Sequence, residues 1–274
     1  MRRIVPLACL LALLSTPALA GSSAQGPDKG ALIIVGGGKV GSEILDRFFA
    51  LAGGKDAPIV VIPTAAGDPS YGPQTAGVKV LTDAGATHVT VLHTTDRKEA
   101  DSEAFTRPIA QARAVWIPGG RQWRLVDSYS GTRTEVEIKK LLARGGVVGG
   151  SSAGASIQAS YLVRGAREGN EVMMAPGYEE GFGLLQGAAV DQHVITRHRE
   201  TDLDAVVARH PDLLGVGLDE STAIVVQGRR FDVIGKSKVF VHDGKPDPSG
   251  LTYHLLSTGD AYDMQALTVS KTGD

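Results

Sequence analysis

The sequence predicts an α/β fold: a mostly parallel sheet with helices on both faces, followed by a β-rich C-terminal extension. Three observations predict it. Short runs such as "ALIIVG", "PIVVIPT" and "AVWIPGG" are apolar at nearly every position, as strands are when both faces of a sheet are covered. Segments with helical spacing separate these runs, the alternation expected of parallel βαβ units. After about residue 160 the rhythm gives way to short β-rich pieces joined by Gly and Asp turns.

The elements follow in order. "ALIIVG" (31–36) is the first strand. "SEILDRFFALAGG" has helical spacing, with Ile44, Leu45, Phe48 and Leu51 on one face, Ser42 as N-cap and Gly53 as stop. "PIVVIPT" is a strand, "GVKVLTDAG" a helix, "HVTVLH" a strand and "AFTRPIAQA" a weaker helix. "AVWIPGG" is a strand, "EVEIKKLLARGG" a helix and "VVGGSS" a strand. Later, "RHRETDLDAVVARHP" carries one more helix, with Leu203, Val206 and Val207 inward. "LLGVGLDE", "TAIVVQG", "FDVIGKSKVFVHDG" and "TYHLLSTGD" read as hairpins or edge strands. No internal repeat and no linker rich in Pro, Ser or charge divides the chain, so 21–274 is expected as a single domain.

The chain has 274 residues, 42% hydrophobic and 21% charged, enough for a sizeable core. A net charge of -2 without a basic patch argues against a nucleic-acid partner. The N-terminus has the pattern of a secretory signal peptide: basic "MRRIV", apolar "PLACLLALLSTP", then "ALA" at 18–20. Residues 1–20 are therefore expected to be removed, leaving a secreted or periplasmic chain with no membrane attachment. The only cysteine, Cys9, falls inside that segment. The mature chain can then form no disulfide and use no thiol nucleophile.

Three strand ends carry candidate chemistry. In open α/β sheets, ligands bind outside the carboxyl ends of the strands. "GGSSAGAS" (149–156) gives G-x-S-x-G centred on Ser152, a nucleophile on a sharp strand-to-helix turn; Ser151 lacks that symmetry. A helix starting behind Ser152 offers N–H groups to a developing oxyanion. "WIPGGRQWRLV" places Gly119 and Gly120 at a strand end, with Gln122 and Arg124 able to meet a substrate. "VDQHVITRHR" gathers Asp191, Gln192, His193, Arg197 and Arg199 after an apolar run. His193 is the histidine placed as a base. His198 lies between two arginines, and the other five histidines read as isolated turn or surface residues. A metal set of Asp191, His193 and His198 is disfavoured by the adjacent arginines and by the lack of an HExxH or cysteine pattern. Neither metal nor cofactor is expected. In "GVGLDESTAIVV", Asp219 or Glu220 can orient the base, and Asp219 also fits a solvated turn.

Together, "GGSSAGA", "PGGRQ", "DQH....R.R", "GLDESTA" and "IIVGGGK" resemble the cyanophycinase branch of the S51 serine peptidases, over about residues 30–230. The resemblance implies the class I glutamine amidotransferase-like α/β fold and a triad of Ser152, His193 and Glu220. It implies an oxyanion hole from the Gly120 and Ala153 N–H groups, and a pocket lined by Gln122, Asp191, Gln192, Arg197 and Arg199. In that family the pocket binds a β-linked aspartyl-arginine unit, and β-Asp-Arg is released from cyanophycin. Arginines there suit a carboxylate-rich substrate, and Asp191 would meet a guanidinium or amine. Relatives imply a homodimer.

The sequence departs from the family pattern at three positions. Asp202 replaces a third arginine, Arg121 stands where Asn is usual, and Lys39 where an acid is common. Glu171 competes with Glu220 for the third seat of the triad. Two alternatives stay open: a secreted peptidase for other isoaspartyl or acidic peptides, and a non-catalytic periplasmic peptide-binding module on the same fold. An amidotransferase or deglycase would need a nucleophilic cysteine.

Overall fold

The computed structural model describes residues 24–271, so the expected signal peptide lies outside them. The first half builds a parallel sheet. β1 (Ala31–Val35), β2 (Ile59–Val61), β3 (Val89–Val91), β4 (Ala114–Ile117) and β5 (Val147–Ser151) pair in the order β1-β5-β4-β2-β3, all in parallel. β1 and β5 are buried along their whole length. The physical cause is an apolar layer on each face, reached by alternate side chains. Leu32, Ile34, Val115, Ile117 and Val148 point into one layer. Ile33, Val35, Ala114, Trp116 and Val147 point into the other.

Helices cover both layers. α1 (Ser42–Ala52) and α2 (Ala76–Asp83) bury Ile44, Leu45, Phe48, Val78 and Leu81 in the second layer. α3 (Arg97–Ala100), α4 (Glu103–Gln111), α5 (Gln122–Tyr129), α6 (Arg133–Ala143) and the single turn α7 (Ala153–Ser156) contribute to the first. Gly53 ends α1 in the left-handed conformation, φ 99°, which glycine adopts without penalty. Ser42 is not the N-cap the sequence suggests. Gly41 holds that position without a side-chain bond, and Ser42 is the first helical residue.

The second half is divided between two sheets. β6 (Ala159–Tyr161), β7 (Leu185–Gln192) and β8 (Leu214–Leu218) pair in parallel in a smaller sheet. α8 (Asp202–Arg209) connects β7 to β8 and turns Leu203, Val206 and Val207 inward, as its spacing predicts. The chain then crosses to the large sheet. β9 (Thr222–Gln227) lies antiparallel to β1, and β10 (Arg230–Gly235) extends the sheet outward. β11 (Lys238–His242) and β12 (His254–Ser257) return to the small sheet, and β13 (Ala261–Asp263) and β14 (Thr268–Ser270) complete the edge of the large one. The β-rich C-terminal part is thus woven into both sheets. Leu185, Val190, Leu214, Val216 and Val239 share an apolar cluster with the first layer of the parallel sheet.

Candidate active site

The chain places three segments against one glycine turn. β1 ends at Val35, and Gly36–Gly38 follow. The Ser152 N–H donates to Val35 O at 3.0 Å, the His193 N–H to Gly36 O at 2.8 Å, and the Ser221 N–H to Gly37 O at 2.9 Å. The Gly36 N–H in turn donates to Thr222 O at 3.0 Å. The ends of β5, β7 and the β8–β9 crossing are therefore tied to consecutive carbonyls. Ser152, His193 and Ser221 all have positive φ, at 56°, 56° and 55°. Non-glycine residues held there carry strain of about 1–3 kcal/mol each, which persists only where surrounding contacts over-determine it.

The side chains at this junction form a relay. His193 Nε2 lies 2.9 Å from Ser152 Oγ, and His193 Nδ1 lies 2.6 Å from Glu220 Oε1. A carboxylate can only accept, so Nδ1 carries the proton and Nε2 faces the serine with its lone pair. Space for this comes from the glycines. A Cβ on Gly37 would stand 2.6 and 2.7 Å from the His193 ring nitrogens, and one on Gly38 would stand 2.6 Å from Glu220 Oε2. Gly119 lies alongside, where an added Cβ would be 3.6 Å from Ser152 Oγ. The N–H groups of Gly120 and Ala153 bond to no protein acceptor among the described residues. A cavity of about 250 Å³, lined in part by Gly38, Lys39, Gly119 and Ser151, opens beside the junction.

Burial sets the electrostatics. It lowers the His193 pKa below the ordinary imidazole value; the Glu220 hydrogen bond opposes this, and Arg197 and Arg199 add to it. Of the three carboxylates weighed for the third position, the fold brings Glu220 to His193. Glu171 is largely exposed and sits 3.6 Å from the Arg199 guanidinium instead. Asp219 is not a solvated turn. It is buried and accepts hydrogen bonds from Ser237 Oγ at 2.6 Å and from the Ile195 and Thr196 N–H groups at 3.1 Å. Burial would raise its pKa, but these bonds outweigh it and hold the carboxyl below its usual value. Asp219 thereby pins the loop that carries His193.

The remaining expected pocket residues divide. Gln122 is 1% exposed with an unbonded Nε2, and Gln192 is 3% exposed with an unbonded Oε1. Arg199 is buried, and its guanidinium donates to Gln192 O at 3.3 Å. Arg197 is exposed. Asp191 departs from expectation. It is fully buried, and Arg164 meets it bidentately, Nε to Oδ1 at 2.7 Å and a terminal nitrogen to Oδ2 at 2.8 Å. Asp202 takes a further Arg164 donor at 2.6 Å. The sequence offered no sign of Arg164, whose partners lie 27 and 38 residues away. His242 is likewise no surface histidine: it is buried and 2.7 Å from Asp204. No group of residues suited to a metal ion occurs among the described residues.

Comparison with known proteins bears on this geometry. The model of peptidase family S51 matches residues 32–234. A cyanophycinase of Geminocystis herdmanii is 31% identical over 258 residues, covering 86% of this chain and 94% of the relative. A cyanophycinase of Trichormus variabilis is 32% identical over 269 residues, covering 88% of each chain. The crystal structure of a peptidase from an acI-B1 actinobacterium superposes with a TM-score of 0.67 at 25% identity, over 87% of this chain and 98% of that one. The family model spans β1 to β10, which contain all three segments of the relay; this chain is a cyanophycinase-like member of peptidase family S51.

Proposed function

We propose that the chain is a serine-type exopeptidase that hydrolyses β-aspartyl-linked, carboxylate-rich peptides by acyl transfer. One observation carries this reading: the unbroken relay Ser152 Oγ–His193–Glu220, at 2.9 and 2.6 Å. His193 Nε2 takes the serine proton as Oγ attacks the scissile carbonyl, while Glu220 stabilises the imidazolium that forms. The unspent N–H groups of Gly120 and Ala153 receive the oxyanion. His193 then returns the proton to the leaving amine. Water, activated by the same imidazole, releases the acyl group from Ser152. The similarity to cyanophycinases supports a β-linked aspartyl substrate, with release of β-Asp-Arg from cyanophycin as the specific form to assay. We further propose that residues 1–20 direct the enzyme out of the cytoplasm, in keeping with their basic, apolar and small-residue pattern.

A fluorophosphonate probe tests the mechanism without assuming a substrate. Labelling at Ser152, abolished by His193→Ala, is the expected result, read by mass spectrometry of the labelled peptide. Saturable peptide binding with no labelling and no turnover would instead mark a binding module.

The acid limb of kcat/KM follows from the same geometry. The active form of His193 is neutral, and burial lowers its pKa below about 6.5. Activity is therefore retained below that pH and lost as pH falls through the lowered value. Arg197→Gln removes a cation that contributes to the lowering, so the limb moves to higher pH. An unmoved limb would show that Arg197 does not act on the imidazole.

A further inference from the structure

Gly119 and Gly120 lie between Ser152 and the 3-10 turn Thr64–Ala66 that follows β2. On one side, a Cβ on Gly119 would stand 3.1 Å from Ser152 Cβ. On the other, a Cβ on Gly120 would stand 2.1 Å from Ala65 O and 2.6 Å from Ala66 N. The next peptide is tied to the same carbonyl: the Arg121 N–H donates to Ala65 O at 2.8 Å, and Arg124 Nη1 donates to it at 3.0 Å. Gly120 has φ 145°, and a glycine backbone has the widest freedom of any residue. The constraint on its N–H, the donor assigned to the oxyanion, therefore comes from where the turn places Ala65 O.

A buried side-chain network fixes the turn in its place. Thr64 is 1% exposed, and its Oγ1 lies 2.6 Å from Tyr129 Oη and 2.9 Å from His93 Nδ1. The polarity of this chain follows from Tyr129. Its side chain is fully buried, and burial raises its pKa, so it keeps its proton. The Tyr129 oxygen accepts the Thr94 N–H at 3.2 Å, and the acceptor its own O–H reaches is Thr64 Oγ1. The Thr64 O–H then donates to His93 Nδ1. Burial lowers the His93 pKa, against the pull of Glu99 and Asp68, and so favours the neutral ring this bond requires. The Thr64 hydroxyl thus both accepts and donates, which locks its rotamer. The end of α5, the segment after β3 and the turn after β2 meet at this one side chain.

We infer that Thr64 is a positioning residue for the oxyanion hole: with Tyr129 and His93 it fixes the turn whose Ala65 O anchors Gly120 and Arg121 beside Ser152. The inference rests on the peptidase reading above. Thr64 bonds to no member of the relay, so its hydroxyl acts through the backbone on the contact that strengthens as charge develops on the carbonyl oxygen.

Thr64→Val keeps the shape of the side chain and deletes Oγ1. Its kcat is expected to fall about 10- to 30-fold while KM stays within about twofold, since a displaced oxyanion donor weakens the transition state and not the bound substrate. Thr64→Ser, which restores the hydroxyl, should return kcat to within about threefold of wild type. The rate of fluorophosphonate labelling at Ser152 should fall in parallel in Thr64→Val, and the acid limb of its pH profile should not move, because His193 is untouched. Should Thr64→Val fail to fold, Tyr129→Phe reads the same contact: it removes the O–H that Thr64 accepts, and the same fall in kcat without a rise in KM is expected. A lowered melting temperature with wild-type kcat in the folded variant would mark a purely structural hydroxyl and overturn the inference. So would a kcat loss that Thr64→Ser does not reverse, or a shifted acid limb. In each of these cases wild-type labelling at Ser152 leaves the peptidase standing. Wild-type protein that neither labels at Ser152 nor hydrolyses a β-aspartyl peptide would overturn both.

Discussion

Replacing Ser152 by alanine is expected to lower kcat by about five to six orders of magnitude while the protein melts close to the wild-type temperature. The first half follows from the relay. Without Oγ there is no atom 2.9 Å from His193 Nε2 to be deprotonated, and what survives is binding and oxyanion stabilisation alone. The second half follows from the backbone. Ser152 sits at φ 56° because its N–H is held by Val35 O, and alanine meets the same backbone strain with one polar atom fewer. The neighbouring Ser151 lines the cavity at the end of β5, but the His193 ring nitrogens are bonded to Ser152 and Glu220, so it offers no activated second nucleophile to rescue turnover. Release of β-aspartyl dipeptide, followed by mass, measures the effect alongside a melting curve. Wild-type turnover by a folded Ser152→Ala protein would mean that another group attacks the carbonyl.

Gly37→Ala should produce the second largest loss, although Gly37 has no reactive group. Its φ is 114°, which costs an alanine about 1–3 kcal/mol in stability. Its Cβ would also overlap the His193 ring, whose nitrogens lie 2.6 and 2.7 Å from that point. The ring must shift to accommodate it, and a displacement of about 1 Å costs on the order of 100-fold in rate. Gly53→Ala is the matched control. It shares the positive φ, at 99°, but has open space around its Cβ. It should lower the melting temperature while kcat stays near wild type. Equal rates for the two variants would show that the glycine turn does not position the imidazole.

Much of the fold was legible because local chemistry reports it. β1, β2 and β4 are continuous apolar runs, and Gly53 marks a true helix end. The short and half-polar pieces were not legible. α5 begins one residue beyond a glycine pair, and β6, β13 and β14 are three residues each, too short for periodicity to register. The candidate nucleophile and base were readable as residue types at strand ends. Asp219 and Asp191 were misjudged for one common reason: a carboxylate's role is set by its partner, and Ser237 and Arg164 lie 18 and 27 residues away in the chain.

The sequence by itself determined the layered α/β architecture, the lack of a thiol nucleophile beyond residue 9, and the identity of the serine, histidine and acids available for chemistry. Hydrophobic periodicity and residue chemistry are local properties, so a single chain read in order reveals them. Only the tertiary structure decided which acid reaches His193, which is sealed away on Arg164, and that Val35, Gly36 and Gly37 bind three distant segments through successive carbonyls. Those outcomes depend on where strands from two sheets end against one another. Side-chain hydrogen bonds between residues 41 and 27 positions apart in the relay leave no local trace in the order of residues.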